Sequence, residues 1–537
     1  MNGHELVAVS LARLGVKHAF SVSGTPLVET LASCASVGVR PIGVRNEQGA
    51  VLMAAAHGYV AGGPTAVPLL ASGPGVTNGI TGLLLARDNR WPLVVLGGRS
   101  ALSAPIGAFQ ELDAVPVVES LTRWAAVVNE VNAIPEHLGR AFRLAMQGAP
   151  APVYLDLPGD VLDESATVEP PGPSLSELQP GVADARIGRA ADVLARARRP
   201  LLIVGRDLRW SEPWPQLRQL VERYRIPFIT SPMARGALPE DHPLCCNAAR
   251  SRAQSEADVV VLAGDRLDWL LRFGRGFGAD AAIVQLTADK DDHHLNRRAE
   301  VALAGNLRTL LETILAALPG RCATSGDWPA SLAREASRQR ERLAAQLTDE
   351  SLPISPHRLV GELTEMLPRD AIVIVDGNQI MAAARQGLPA FAPASRLNCG
   401  ASACVGVGVP FAIGAALARP NVPVLALCGD CAFGFSAMEL ETAARHNVPI
   451  VVVVANNDGI SGRRTHQRFY PPDYPERVTM YQADLRYDRL AETLGAHGEY
   501  VERPDELRPA LERALSAGRP ACVNVRVNPD ADLVTRR

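Results

Sequence analysis

Asp430 and Asn457 are the side chains of this chain best placed by type and spacing to hold a cation. Asp430 follows an apolar strand expected at Val422–Leu427, which closes on Gly429. Beyond it come a helix pattern over Ser436–His446 and a second apolar strand at Ile450–Ala455. The chain then reads Asn456-Asn457-Asp458-Gly459, with Asn457 standing 27 residues after Asp430. A right-handed crossover between two parallel strands brings their carboxyl ends to the same side. Both residues therefore stand at neighbouring strand ends, where open α/β sheets bind ligands. A carboxylate and an amide oxygen near a loop able to offer a carbonyl suit a hard cation. They are too few to enclose it, so positions stay open for phosphate oxygens, as Mg²⁺ prefers. Gly-Asp alone would fit an ordinary strand–helix–strand unit; Asn-Asn-Asp-Gly at this distance points to a metal that holds a diphosphate.

A third candidate lies far upstream. A strand at Pro41–Val44 runs into Arg45-Asn46-Glu47-Gln48, and a helix rich in small residues is expected over Gly49–Tyr59. A carboxylate at a helix start is ordinarily a cap or dipole partner, and only the metal site gives Glu47 a chemical reading. The turn Ala71-Ser72-Gly73-Pro74-Gly75-Val76-Thr77-Asn78 sets Gly-rich backbone at the next strand end. Two such loops form a slot for a flat ring.

The elements that carry these residues repeat three times. Residues 1–165 alternate strand and helix patterns, residues 166–185 are rich in Pro, Ser and Gly and read as a linker, and residues 186–320 hold strands at Pro200–Val204, Val259–Ala263 and Ala282–Leu286. A largely helical connection over 321–354 leads to residues 355–530, with strands at Ile372–Val375, Val422–Leu427, Ile450–Ala455 and Ala521–Val527. The expected fold class is α/β, with three doubly wound parallel-sheet domains. At 537 residues, 47% hydrophobic and 21% charged, the chain has ample core for them. A net charge of −3 gives no field for nucleic acid. No apolar run is long enough to span a bilayer, and the N-terminal helix pattern lacks a signal layout. Nine scattered cysteines fit a reducing, cytoplasmic setting.

Taken together, Glu47, Ser72-Gly73-Pro74-Gly75 and the Gly-Asp…Asn-Asn unit resemble the thiamine diphosphate enzymes of the acetohydroxyacid synthase and decarboxylase kind, over essentially the full length. Arg45-Asn46-Glu47-Gln48, Gly107-Ala108-Phe109-Gln110-Glu111, Gly264-Asp265-Arg266-Leu267-Asp268-Trp269 and Gly429-Asp430-Cys431-Ala432-Phe433-Gly434 look most like 2-hydroxyacyl-CoA lyase and oxalyl-CoA decarboxylase. The resemblance implies pyrimidine-binding, central and diphosphate-binding domains in that order. It implies that Glu47 bonds N1′ of the aminopyrimidine and that Gln110 lies near the reacting carbon. Mg²⁺ would be held by Asp430, Asn457 and the Gly459 carbonyl. Cofactor contacts would come from Ser72, Gly73, Gly377, Asn378, Ala403, Val405, Gly429, Cys431, Ala432, Asn457 and Ile460. Because family sites are shared between chains, a homodimer or homotetramer is implied.

Some positions depart from the family. Val405 is a smaller wedge under the cofactor than the usual large residue, Ser461 stands where CoA-dependent relatives carry Tyr, and Phe109 sides with the lyase. The chain ends soon after Asn528-Pro529-Asp530, so a short C-terminal tail is expected. In relatives the central domain takes the ADP part of CoA, a separate ADP, or FAD; Arg266 is a candidate phosphate partner, and FAD is not expected here. Cys428-x-x-Cys431, His293-His294 and the glycines of 274–278 read as incidental. Arg463, Arg464, His466 and Arg468 form a basic cluster that is either a solvated loop or an anion site. The expected substrate is an acyl-CoA or a 2-oxo acid. A pyruvate carboligase of the acetohydroxyacid synthase kind and a catalytically silent paralogue stand as alternatives.

Overall fold

A computed structural model of the chain describes residues 1–168, 186–320, 324, 326–460, 462–471 and 478–531. Most of the linker expected at 166–185, and Ser461, lie outside them. Three parallel sheets follow one another in the sequence. The first has six strands: β1 (His18–Ser21), β2 (Arg40–Gly43), β3 (Ala66–Leu70), β4 (Leu93–Arg99), β5 (Trp124–Val127) and β6 (Pro152–Pro158), in the order β2-β1-β3-β4-β6-β5. The second holds β7 (Pro200–Val204), β8 (Phe228–Thr230), β9 (Val259–Ala263), β10 (Ala282–Thr287) and β11 (Val301–Ala304), ordered β11-β10-β9-β7-β8. The third holds β12 (Ile372–Asp376), β13 (Arg396–Leu397), β14 (Val424–Gly429), β15 (Val451–Asn456), β16 (His497–Val501) and β17 (Ala521–Arg526), ordered β13-β12-β14-β15-β17-β16.

The first and third sheets thus share one winding order, and each reverses direction beside its first strand. β3, β7, β9, β12 and β15 are buried throughout, as apolar strands covered by helices on both faces must be. Several edges differ from the sequence reading. β14 runs on to Gly429, the helix expected over Gly49–Tyr59 spans Glu47–Ala61, and the one expected over Ser436–His446 is two short helices, Asp430–Ser436 and Glu439–Arg445. The second shift matters most, because it makes Glu47 the first helical residue, behind an Asn46 side chain that accepts from the Gln48 N–H.

One core cluster runs through both the first and third sheets. Its centre is the contact between helix Glu47–Ala61 and helix Gly408–Ala418, each almost entirely buried. A helix apolar on all sides is stable only when surrounded. Small residues let these two approach closely: Ala50, Ala54 and Ala55 on one, Ala412, Ala415 and Ala416 on the other. Trp91 stacks on Tyr59 at 4.7 Å and leans on Phe411 at 5.3 Å, closing the end of the seam. The helix that begins at Glu47 is therefore anchored against the third sheet's domain. Among the described residues no helix is long and apolar enough to cross a membrane.

Candidate active site

The sequence-derived site residues fall into two sets, each at the strand ends of one six-stranded sheet. On the third sheet, Gly377 and Asn378 follow β12, Asp430, Cys431 and Ala432 follow Gly429 at the end of β14, and Asn457, Gly459 and Ile460 follow β15. A cleft of about 360 Å³, open to solvent, is lined by Gly377, Asn378, Gly429, Asp430, Asn457 and Gly459, with Cys431 and Ala432 also on its wall. It lies at the switch point between β12 and β14, the expected ligand position for this winding. Gly377 has φ 118°, and a side chain there would press to 3.0 Å from the Gly429 N–H, so glycine lets the two strand ends meet.

Three oxygens converge in this cleft. The Asn457 amide oxygen lies 3.2 Å from Asp430 Oδ1 and 2.8 Å from the Gly459 carbonyl oxygen. Turning the amide over would hydrogen-bond both, but would then set its oxygen against Gln379 Oε1. In the orientation seen, Asn457 Nδ2 donates to Gln379 Oε1 at 2.7 Å, leaving three acceptors facing one another. Acceptors gather this way around a cation. Octahedral Mg²⁺ with bonds of 2.0–2.1 Å separates adjacent oxygens by about 2.9 Å, so the spacing fits. Asp430 is buried and held by the N–H groups of Cys431 (2.8 Å, to Oδ1) and Gly459 (2.9 Å, to Oδ2). Burial pushes its carboxyl up to about 6, a cost that a bound cation offsets. Among the described residues no three His, Cys, Asp or Glu side chains gather to hold a metal. The donor set found contains a single carboxylate.

Ala403 and Val405 sit apart from the cleft lining, on the loop between β13 and helix Gly408–Ala418. Ala403 has φ 55°, and Val405 is 37% exposed. What ties this loop to the cleft is Asp376, a residue the sequence reading passed over. Its Oδ2 accepts from the N–H groups of Gly406 (3.0 Å) and Gly408 (2.8 Å). Full burial raises its carboxyl to about 6 despite those bonds. The available signal was its place one residue ahead of Gly377-Asn378.

On the first sheet, Glu47 follows β2, and Ser72 and Gly73 follow β3. Glu47 is nine-tenths buried, and its Oε2 accepts from Asn78 Nδ2 at 3.0 Å. The segment after β4 comes down on this pair of loops, with Ser72 Oγ donating to the Gln110 carbonyl at 2.8 Å. Gly73 has φ 61°, and a β-carbon there would lie 2.7 Å from that carbonyl oxygen, which is why the position takes glycine. Glu47, Ser72, Gly73, Asn78 and Gln110 thus form one polar ledge. Large apolar side chains are exposed beside both sets: Ile106 and Phe109 next to Gln110, and Phe435 and Met438 near Val405.

The central crevice, between β7 and β9, is lined by charged groups that pair with one another. Loop N–H groups that would cradle phosphates are spent internally, from Gly205 to the Ala263 carbonyl (2.8 Å) and from Asp207 to the Gly264 carbonyl (2.9 Å). Arg206 pairs with Asp265 (3.0 Å) and Asp268 (2.6 Å), and Arg90 pairs with Asp207 (2.9 Å) and Asp292. Arg266 donates to the Asp88 carbonyl at 3.0 Å and faces Asp268. Four carboxylates thus meet three guanidiniums here. Elsewhere, Arg463 pairs with Asp530 at 3.2 Å and the Cys428 thiol is buried; neither joins either set.

Comparison with known proteins matches each part. Residues 1–117 match the thiamine pyrophosphate enzyme N-terminal TPP-binding domain, residues 187–314 its central domain, and residues 377–525 its C-terminal TPP-binding domain. The chain is 33% identical to a mouse 2-hydroxyacyl-CoA lyase (99% of this chain, 95% of that one). It is 36% identical to an acetolactate synthase large subunit of Mycobacterium tuberculosis (98% and 96%). It is 32% identical to the oxalyl-CoA decarboxylase of Escherichia coli (99% and 95%).

Proposed function

This chain belongs to the thiamine pyrophosphate enzyme family, and on that basis we propose a Mg²⁺-dependent lyase that cleaves a C–C bond next to a carbonyl, of the 2-hydroxyacyl-CoA lyase or oxalyl-CoA decarboxylase type. The supporting observation is the convergence of Asp430, Asn457 and Gly459 oxygens at a small cation's spacing. Thiamine diphosphate, when bound, would supply the nucleophilic carbon and the sink for the charge left by C–C cleavage. This chain's residues do the rest. Asp430, Asn457 and Gly459 hold the ion, while Gly377, Asn378, Gly429, Cys431 and Ala432 receive the diphosphate. Ser72 and Gly73 would wall the ring, Ala403 would offer it a carbonyl, and Val405 and Ile460 would give it apolar contact. Glu47 keeps a proton in place at N1′, and Gln110 orients the substrate hydroxyl or a water. Residues 1–165, 186–320 and 355–530 are assigned as the pyrimidine-binding, central and diphosphate-binding domains, working in a reducing cytoplasm.

The pyruvate carboligase reading is favoured by the synthase likeness. A flavin would strengthen it, but the central crevice is filled by its own ion pairs. Mass spectrometry of products from 2-hydroxyacyl-CoA, oxalyl-CoA and pyruvate, with Mg²⁺ and thiamine diphosphate, separates the readings. Formyl-CoA with an aldehyde is expected; formyl-CoA from oxalyl-CoA alone means the decarboxylase. Acetolactate without formyl-CoA overturns both.

Phe109 and Phe435, exposed large apolar side chains beside the two residue sets, support a homo-oligomer whose sites form between copies. Phe435→Asp is expected to shift the protein toward monomer in analytical ultracentrifugation and to cut activity in step. Unchanged assembly in that variant would rule out this face as the interface.

A further inference from the structure

Glu47 is presented by a short segment whose backbone is gripped from another domain. β2 is an edge strand, and at its end the peptide groups of Gly43 and, just beyond it, Arg45 are bonded by side chains of the third sheet's domain. The Glu439 carboxylate accepts from the Arg45 N–H through both oxygens, at 3.2 and 3.3 Å, and also interacts with the Asn46 N–H. His446 Nε2 accepts from the Gly43 N–H at 3.1 Å, and Arg445 donates to the Gly43 carbonyl at 2.9 Å. All three grips come from the helix at Glu439–Arg445 and the residue after it, in the third sheet's domain. Glu439 is 2% exposed, and Thr442 Oγ1 fixes it from behind at 2.7 Å. Burial holds its carboxyl above the usual range. Gly49 leaves it room, since a β-carbon there would sit 2.4 Å from Glu439 Oε1.

We propose that Glu439 is the positioning residue for Glu47: by accepting the peptide N–H groups just ahead of it, this carboxylate sets where the first turn of the helix aims the Glu47 side chain. The same short helical region follows Asp430 and Ala432, so placement of the proton-holding group is tied to the domain that receives the diphosphate. The inference rests on the reading of Glu47 given above.

The test is the rate of hydrogen–deuterium exchange at thiazolium C2, per bound cofactor, by quenched NMR. A role in stability alone would change the amount of folded or loaded protein, not this rate. Glu439→Ala is expected to slow exchange about 10–100-fold, the scale of a misplaced catalytic group. Calorimetric affinity for Mg²⁺ and thiamine diphosphate should stay near wild type. Glu439→Gln, which keeps an acceptor oxygen, is expected to recover most of the rate. If Glu439→Ala does not fold, Gly49→Ala displaces the carboxylate in an intact chain and should slow exchange likewise. Wild-type exchange in Glu439→Ala or Gly49→Ala overturns the proposal, as does equal loss in the Gln and Ala variants. Wild-type exchange in Glu47→Gln instead overturns the assignment of Glu47 itself.

Discussion

Glu47→Gln is expected to lower turnover by roughly 10²–10⁴, the usual contribution of a positioned proton-transfer group, with little change in fold or cofactor affinity. The variant isolates the chemistry because it preserves shape. Glu47 is the first residue of its helix, behind the Asn46 cap, and one carboxylate oxygen is held by Asn78 Nδ2. Glutamine keeps an oxygen that can accept from Asn78 and fills the same volume. It cannot give up and take back a proton at N1′. Burial sharpens the loss, because a site with little water offers no substitute proton carrier. Product formation at saturating substrate measures the effect, and a thermal melt beside wild type shows that the fold is intact. Turnover within a few-fold of wild type would sink the assignment. Asn78→Ala should give a smaller loss, since it removes only the group that orients Glu47.

The winding of the three sheets was legible because several buried strands are continuous apolar runs closed by Gly, Asp or Asn. Pro200–Val204 and Val259–Ala263 are strands over just those residues. The Asp430–Asn457 pairing was equally legible, since a crossover between adjacent parallel strands leaves one place for the two ends; β14 and β15 are neighbours, with Gly429 opposite Ala455. Element edges were less legible. Periodicity marks a helix from its buried face, whereas Glu47 joins the helix through a side-chain cap that leaves no apolar signal. Asp376 and Glu439 were missed for a different reason. Asp376 acts on peptide groups 30 and 32 residues away, and Glu439 on one 394 residues away. Neither role shows in the local sequence: that of Asp376 exists only once the loop before helix Gly408–Ala418 folds back on β12, and that of Glu439 only once two domains are packed. The central crevice gave the opposite outcome. Arg266 reads as a phosphate partner in the sequence, and its contacts with the Asp88 carbonyl and Asp268 are visible only in the packed chain.

Asp430 carries the other large effect. In Asp430→Asn, affinity for thiamine diphosphate at fixed Mg²⁺ is expected to fall by about 10²–10⁴, from the roughly 3–5 kcal/mol typically lost when one partner of a buried charge pair is removed. The remaining donors, the Asn457 amide and the Gly459 carbonyl, are neutral. The ion must also face a diphosphate whose negative charge only a firmly held cation can bring into the cleft. Stability should respond with opposite sign. Without metal, Asp430 is a buried carboxylate whose charged form burial disfavours, which is why its carboxyl stands near 6. An asparagine removes that cost and keeps one of the two peptide bonds: its oxygen accepts from the Gly459 N–H, while its Nδ2, in the place of Oδ1, loses the Cys431 bond and can donate to the Asn457 oxygen 3.2 Å away. The metal-free variant should therefore melt no lower than metal-free wild type, while the rise in melting temperature on adding Mg²⁺ and thiamine diphosphate should be largely lost. Titration calorimetry and paired thermal melts measure the two effects separately. If the variant binds the cofactor normally, Asp430 is not the metal's anionic ligand. If it melts well below wild type without metal, the carboxylate is structural, held for the loop that joins β15 to Gly459 and not for an ion.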